Sequence, residues 1–589
     1  MAKVLKATDA VIVGLGWTGA IMARELTRAG LEVVALERGP DRDPAADFAL
    51  PAIRDELRYS VRQELMQDPK METVTLRHRL DDEARPVRRF GAFLPGDGVG
   101  GMGTHWNGNT FRFLPSDHNL RTHLTERYGR GRIPDDMTIQ DWGVTYDELE
   151  PHYARFEALC GVSGKAGNIG GRIQAGGNPF EGPRSGEYPN APLVSSHANE
   201  LFRRAATELG LHPFPAPASN SSAPYRNPEG AQLGACQYCG HCDRFGCEAN
   251  AKATPLSTLA PALGKAPGFR KVTNAYATRV LYDPQARRAT GVRYIDLRSG
   301  ETYDLPAEIV ILSAWVFGNT RLMLLSGIGQ PYDPRAGTGV VGKNYCYQIQ
   351  PTVQLFFKDE ELNPFMGAGG LGMVVDDFNG DNFDHADLGF LGGGYISLNS
   401  TNGRPISFRP TPPGTPAWGA AWKRETAKWY RKTAMVLCEG MNYASRANSI
   451  DLDPTYRDMF GQPLLRMTFN FSQNDRAMAD YLLGKAADIG RAMNATIVAP
   501  QPRKGDFNVV SYQSSHNTGG TIMGRTPAAS VVNRYLQSWD AHNLFVLGSS
   551  VFPQNAGYNP TAAAAATAYW CADALVKTYL KSPSPMVQL

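Results

Sequence analysis

The segment Asp9-Ala-Val-Ile-Val-Gly14-Leu-Gly16-Trp-Thr-Gly19 constrains the fold of this chain more than any other. The apolar run before Gly14 reads as a parallel strand buried on both faces. Ala20 to Ala29 follow with helical spacing, and Leu31 to Leu36 give a second strand that ends at Glu37, 18 residues beyond Gly19. Each part has a physical task in dinucleotide binding. Gly14 makes the tight turn, Gly16 lets backbone approach a pyrophosphate, and Gly19 lets helix and sheet pack closely. The Glu37 carboxylate accepts from the adenosine ribose hydroxyls. The context favours a dinucleotide site over a chance glycine turn, and leaves NAD and FAD both open.

A chain of 589 residues exceeds what one hydrophobic core supports, so two or more domains are expected. Hydrophobic residues at 42% and charged residues at 20% are ordinary for a globular protein, and the 61 glycines and 41 prolines show no period. Sixty basic against 57 acidic residues leave a net charge of +3, and the densest basic patch, Arg85 to Arg89, is short. Nucleic-acid binding has no electrostatic footprint here. The start, Met1 to Lys6, reads as no signal peptide, because the first apolar run is already a folded strand. Ala541 to Ala572 lacks Asp, Glu, Lys and Arg, but Pro553, Gln554, Asn555, Asn559 and Pro560 interrupt it. It reads as a buried strand, a polar loop and a buried helix rather than a membrane span.

Three further constellations carry chemistry. Gly98 to Gly108 holds Gly100, Gly101, His105 and Asn107, a glycine density that permits close approach to a flat ligand. Ser514-Ser-His516-Asn-Thr-Gly-Gly520 lies in an uncharged stretch, where a lone histidine is as readily satisfied by backbone. Leu544 to Pro553 leads to Asn559-Pro560-Thr561 and an Ala-rich helix, whose positive end points at Asn559. Glu308 to Ala314 reads as another buried strand ahead of a helix.

Together these residues resemble the glucose–methanol–choline (GMC) flavoprotein oxidoreductases at both ends of the chain, with a looser match in the middle third. The resemblance implies FAD, and it implies that His516 and Asn559, 43 residues apart, face the flavin. There His516 would take the hydroxyl proton, Asn559 would orient the alcohol and the hydride would go to flavin N5. The Gly-Gly-Met-Gly-Thr-His105-Trp run is similar to the pyranose oxidase version of the loop, which implies covalent attachment of FAD at His105. Ala314, Pro560 and Thr561 join the implied cofactor contacts. The fold expected is an α/β FAD-binding Rossmann-like domain with a mixed sheet-plus-helices substrate-binding domain. The FAD domain is expected over 1–40, 91–160, 233–335 and 501–589, and the substrate domain over 161–232 and 336–500. A helical insertion is expected at 41–90.

Half of the eight cysteines fall in Cys236-Gln-Tyr-Cys239-Gly-His-Cys242-Asp-Arg-Phe-Gly-Cys247. Thiols this close do not pair easily as disulfides. The spacing favours an iron–sulfur cluster over zinc. Here the resemblance narrows to the large subunits of membrane-associated sugar and sugar-acid dehydrogenases, closest to the gluconate 2-dehydrogenase type. It implies a [3Fe–4S] cluster on Cys236, Cys242 and Cys247. Cys239 is an addition that leaves [4Fe–4S] open. It also implies a small subunit, a membrane-bound multihaem cytochrome c, electron delivery to quinone, and a place on the periplasmic face of the bacterial membrane. D-Gluconate is the first substrate expected, then 2-keto-D-gluconate, then neutral sugars such as fructose, sorbitol or glucose. An oxygen-using oxidase with structural zinc, a redox-neutral lyase and a non-catalytic scaffold subunit are the competing readings.

Overall fold

The computed structural model describes residues 2–49, 54–400 and 404–588. Its larger sheet is built on the opening segment. Thr8–Val13 is flanked in parallel by Val33–Leu36 and by Thr302–Leu312, and Phe269–Val272 extends the sheet beyond Val33–Leu36. Thr302–Leu312 changes partners along its length. Its first half pairs antiparallel with Arg288–Asp296, while Val310 to Leu312 pair in parallel with Leu544–Val546. Val11, Ile12, Val310, Ile311, Phe545 and Val546 are wholly buried, as an all-apolar run covered on both faces requires.

Helices Trp17–Arg28, Tyr146–Cys160 and Thr561–Lys577 pack together on this sheet. Alanine side chains let the last of them approach closely: Ala562, Ala563, Ala565, Ala566 and Ala568 are all buried. A capping box between Thr145 and Glu148 starts the Tyr146–Cys160 helix, and Gly161 ends it in the left-handed conformation. No helix among the described residues is long and apolar enough to cross a membrane.

A second, antiparallel sheet runs in the order Ile497–Gln501, Thr352–Phe356, Thr433–Gly440, Gly394–Asn399, Gly372–Val375 and Phe214–Pro215. One face packs on the helix Gln473–Ala492, and the period of two decides which residues do so. Ala434, Val436 and Cys438 enter that core, while Met435, Leu437 and Glu439 face a cavity between the two sheets. A single register thus sends one charged residue of an apolar strand into the cavity.

Residues 41–90 depart from the helical insertion expected of them. Their described part holds a four-residue helix at Pro44–Asp47 and a short π-helical turn at Leu57–Val61. Val74–Arg77 is a strand, paired in parallel with Pro463–Thr468 and antiparallel with Arg85–Pro86. A polar, helix-prone composition is overridden by a partner almost 400 residues away in sequence; Thr75 fixes the junction through its hydroxyl, which donates to Asp453 at 2.6 Å. Residues 50–53 of this expected insertion lie outside the described residues.

Candidate active site

A cavity of about 700 Å³ opens at the carboxyl end of the parallel strands, where doubly wound sheets bind their ligands. Its floor is the first turn of the chain. Gly14 takes a φ of +94°, and a Cβ on Gly19 would stand 2.0 Å from the Gly14 carbonyl oxygen, so both positions demand glycine. Gly16 is the N-cap of the following helix and no side chain caps it, which leaves its first N–H groups for a ligand anion. Glu37 lines the cavity and accepts from the N–H groups of Leu15 at 2.9 Å and Gly39 at 3.0 Å. Burial raises its carboxyl pKa despite those two bonds.

The Gly98–Gly108 loop folds onto this turn. The Gly100 N–H donates to the Leu15 carbonyl at 2.9 Å, and Gly101 and Asn107 line the cavity. His105 is buried, and its Nε2 has no protein partner among the described residues. Desolvation brings its pKa down to about 4, with the Lys252 ammonium adding to the effect. A neutral imidazole nitrogen without a hydrogen-bond partner, on the cavity wall, fits bonding to a flavin ring. Asn107 Oδ1 is likewise unpartnered. Ala314, Pro560 and Thr561 also line the cavity. The Ala314 N–H is held by Asn319 Oδ1 at 2.7 Å, and Pro560 is the N-cap of the Ala-rich helix.

His516 and Asn559 meet at the cavity wall, with Asn559 Nδ2 3.1 Å from His516 Nε2. On the other side of the ring, Nδ1 lies 2.8 Å from Glu439 Oε1 and bonds Gln348 Oε1. An amide that donates to Nε2 and two acceptors at Nδ1 assign the proton to Nδ1 and leave the lone pair on Nε2. Asn559 is held in turn by the Tyr395 hydroxyl, which donates to its Oδ1 at 3.0 Å. Behind Tyr395, the Tyr558 hydroxyl donates to buried Asp376, which also accepts from Asn178 and Asn379 at 2.9 Å each.

Glu439, Gln348, Gln350 and Tyr395 have no motif in the sequence. The one local signal is a glutamate in the otherwise apolar strand Thr433–Gly440.

The four clustered cysteines are free thiols; Cys242 is buried and the other three are half-buried. Asn220 Nδ2 donates to Cys242 Sγ at 3.6 Å and the Lys252 N–H to Cys247 Sγ at 3.5 Å. The donor set suits a metal cluster, yet no group of three or more His, Cys, Asp or Glu among the described residues is placed to hold a metal ion. The loop is nevertheless fastened to the cavity wall that carries His105. The Arg244 N–H donates to the His105 carbonyl at 2.9 Å. The buried Lys252 ammonium donates to the carbonyls of Trp106, Cys242 and Phe245 at 2.8–2.9 Å.

Residues 189–350 and 444–568 each match a profile of the GMC oxidoreductases. The chain is 48% identical to the gluconate 2-dehydrogenase flavoprotein of Pantoea cypripedii, over 100% of this chain and 96% of that one. It is 25% identical to the fructose dehydrogenase large subunit of Gluconobacter japonicus, over 98% and 99% of the two chains. Among solved structures, formate oxidase of Aspergillus oryzae superposes with a TM-score of 0.61 at 17% identity, covering 98% of this chain and 100% of that one. Pyridoxine 4-oxidase from Mesorbium loti superposes with a TM-score of 0.60 at 16% identity and the same coverage. These two likenesses speak for the fold alone.

Proposed function

The chain belongs to the GMC oxidoreductase family, and from that premise we propose that it is the FAD-bearing subunit of a sugar-acid dehydrogenase. D-Gluconate, oxidised at its secondary C2 alcohol to 2-keto-D-gluconate, is the substrate we place first. Its support is the 48% identical relative. The observation that carries the reading is His516 Nε2, 3.1 Å from the Asn559 amide on the wall of the dinucleotide cavity, with a buried carboxylate behind the ring.

His516 takes the hydroxyl proton on Nε2, and Glu439 stabilises the imidazolium that results. Asn559 turns its amide toward the alcohol oxygen and orients the carbon-bound hydrogen. FAD, when bound, supplies the hydride acceptor. Gly14, Gly16, Gly19 and Glu37 hold its adenosine diphosphate end; Gly100, Gly101, Asn107, Ala314, Pro560 and Thr561 hold its ring end. The unpartnered Nε2 of His105 supports a covalent bond to the flavin there.

Cys236, Cys239, Cys242 and Cys247 would supply the thiolates for an iron–sulfur cluster, [3Fe–4S] in first place, which would provide one-electron transfer. The donor set and the tie to the His105 loop support this reading, and iron and labile-sulfide analysis decides it. A relative described as a large subunit supports partner subunits. We place among them a small subunit and a membrane-bound multihaem cytochrome c that passes electrons to quinone on the periplasmic face.

The test is anaerobic addition of D-gluconate to the purified protein while flavin absorbance is followed. Bleaching in the wild type and its loss in His516→Ala with flavin retained are expected. Unchanged turnover in His516→Ala would overturn the assignment of the base. Rapid oxygen consumption with substrate would replace the dehydrogenase with an oxidase.

A further inference from the structure

Five arginines line the cavity that His516 and Asn559 share, and no lysine does. Four of them are paired with carboxylates. Arg38 pairs with Glu72 at 3.3 Å and Asp97 at 3.4 Å, and Arg321 with Glu72 at 2.9 Å and Asp458 at 2.7 Å. Arg404 and Arg244 share Asp243, at 3.1 Å and 3.6 Å. Arg503 pairs with no carboxylate among the described residues. Its single hydrogen bond there runs from Nε to the Gln350 carbonyl oxygen, at 2.7 Å. Both terminal nitrogens are left to the cavity.

Arg503 is half-buried, and it is the one arginine lining this cavity with no carboxylate partner among the described residues. Burial lowers the pKa of this group, and only the Tyr347 phenol acts against that; it stays protonated throughout the physiological range. The anchor of Arg503 is also informative. Gln350, whose carbonyl holds Nε, donates through its side-chain amide to Glu439, the carboxylate behind His516. One residue therefore braces both the cation and the group that orients the base.

We infer that Arg503 receives the carboxylate of the substrate, and that the cavity selects 2-hydroxy acids with a polyhydroxy tail over neutral sugars. The inference rests on the sugar-acid reading above. The planar fork of a guanidinium matches a carboxylate in a bidentate pair, and partial burial strengthens the attraction. In an aldonate the C2 hydroxyl is borne on the carbon bonded to the carboxyl carbon. Fixing the carboxylate at Arg503 therefore limits which hydroxyl can reach His516 and Asn559. A neutral sugar would leave the guanidinium without a partner in a partly dehydrated site, which costs binding.

The test compares D-gluconate with its uncharged amide, D-gluconamide, in the flavin-loaded enzyme and in Arg503→Gln and Arg503→Lys. The wild type is expected to prefer the acid. In Arg503→Gln the acid-to-amide ratio of kcat/KM should fall by about a hundredfold, with KM for gluconate rising more than kcat falls. Arg503→Lys, which keeps the charge and loses the fork, should lose about tenfold of the ratio. If Arg503→Gln fails to hold flavin, the lysine variant alone decides: a full wild-type ratio there overturns the assignment. An unchanged ratio in Arg503→Gln overturns the role of Arg503 and leaves the sugar-acid reading standing. A wild type that oxidises neutral polyols but no aldonate overturns that reading, and this one with it.

Discussion

Glu439 stands behind His516, its Oε1 2.8 Å from Nδ1 on the side of the ring away from Asn559. In the proposed reaction the pair makes the imidazole a directed base. The carboxylate holds the Nδ1 proton in place, so the lone pair on Nε2 faces the cavity, and it offsets the charge the ring gains on taking a proton. Glu439→Gln keeps the shape and removes the charge. We expect kcat to fall by about a hundredfold or more, with flavin content unchanged and the pH dependence of kcat displaced from that of the wild type. A variant with wild-type kcat and pH profile would reduce Glu439 to a packing role.

Gly16 and Gly19 lie three residues apart and should fail differently. A Cβ at Gly16 would meet nothing closer than the Gly100 carbonyl oxygen at 4.0 Å, so it has room in the protein itself. Gly16→Ala should leave the melting temperature of the flavin-free chain nearly unchanged and cut flavin occupancy by about tenfold, because the methyl group projects where a pyrophosphate would approach. Gly19→Ala drives a Cβ to 2.0 Å from the Gly14 carbonyl oxygen and should destabilise the flavin-free chain by about 1–3 kcal/mol. Melting curves with flavin-to-protein ratios separate the two effects; a Gly16→Ala protein that loads fully would place the pyrophosphate elsewhere.

Asp376 supplies a pH signature. Desolvation pushes its carboxyl pKa up to about 7 in spite of the hydrogen bonds from Tyr558, Asn178 and Asn379. The folded protein then keeps a proton that the unfolded chain has released above about pH 4. That contribution to stability is complete below the ordinary carboxylate range and is lost as pH rises through about 7. Asp376→Asn removes it. Plotted against pH from 5 to 7.5, wild-type stability should decline relative to the variant, as read from urea unfolding. Parallel curves would show that the group does not titrate in this range.

Lys252→Met tests the fastening of the cysteine loop. The substitution fills similar space and strips three carbonyl oxygens of their donor in a wholly buried site. A loss of about 3 kcal/mol is expected. Cys242 should become faster to label with a thiol reagent, which a time course by mass spectrometry would show. A labelling rate equal to the wild type would mean that the loop holds itself.

Local chemistry was legible in the sequence and distant pairing was not. The turn at Gly14 to Gly19 could be read because strand, glycines, helix and Glu37 occupy one short stretch with fixed offsets. His516 and Asn559 were singled out by resemblance, and the fold brings their side chains within hydrogen-bonding distance. Glu439 was hidden because its contact depends on the register of an antiparallel sheet, which turns it to the cavity while Cys438 turns to the core. Arg503 was hidden for a different reason. Among the five arginines that line the cavity, its distinction is that it pairs with no carboxylate among the described residues, and only the folded arrangement reveals that. The strand at Val74–Arg77 escaped notice because its neighbour comes from Pro463–Thr468.

Thr302–Leu312 lies between Thr8–Val13 on one side and Leu544–Val546 on the other. The wall of the cavity proposed for the flavin is therefore assembled from segments more than 500 residues apart in the chain. During synthesis the glycine turn leaves the ribosome well before Leu544–Val546, and must wait for more than 500 further residues before its sheet is closed. Such non-local pairing is slow to form. At the proposed site, flavin capture accordingly waits on Leu544–Val546, and a truncation that removes this strand would forfeit a cofactor held at the Gly14–Gly19 turn.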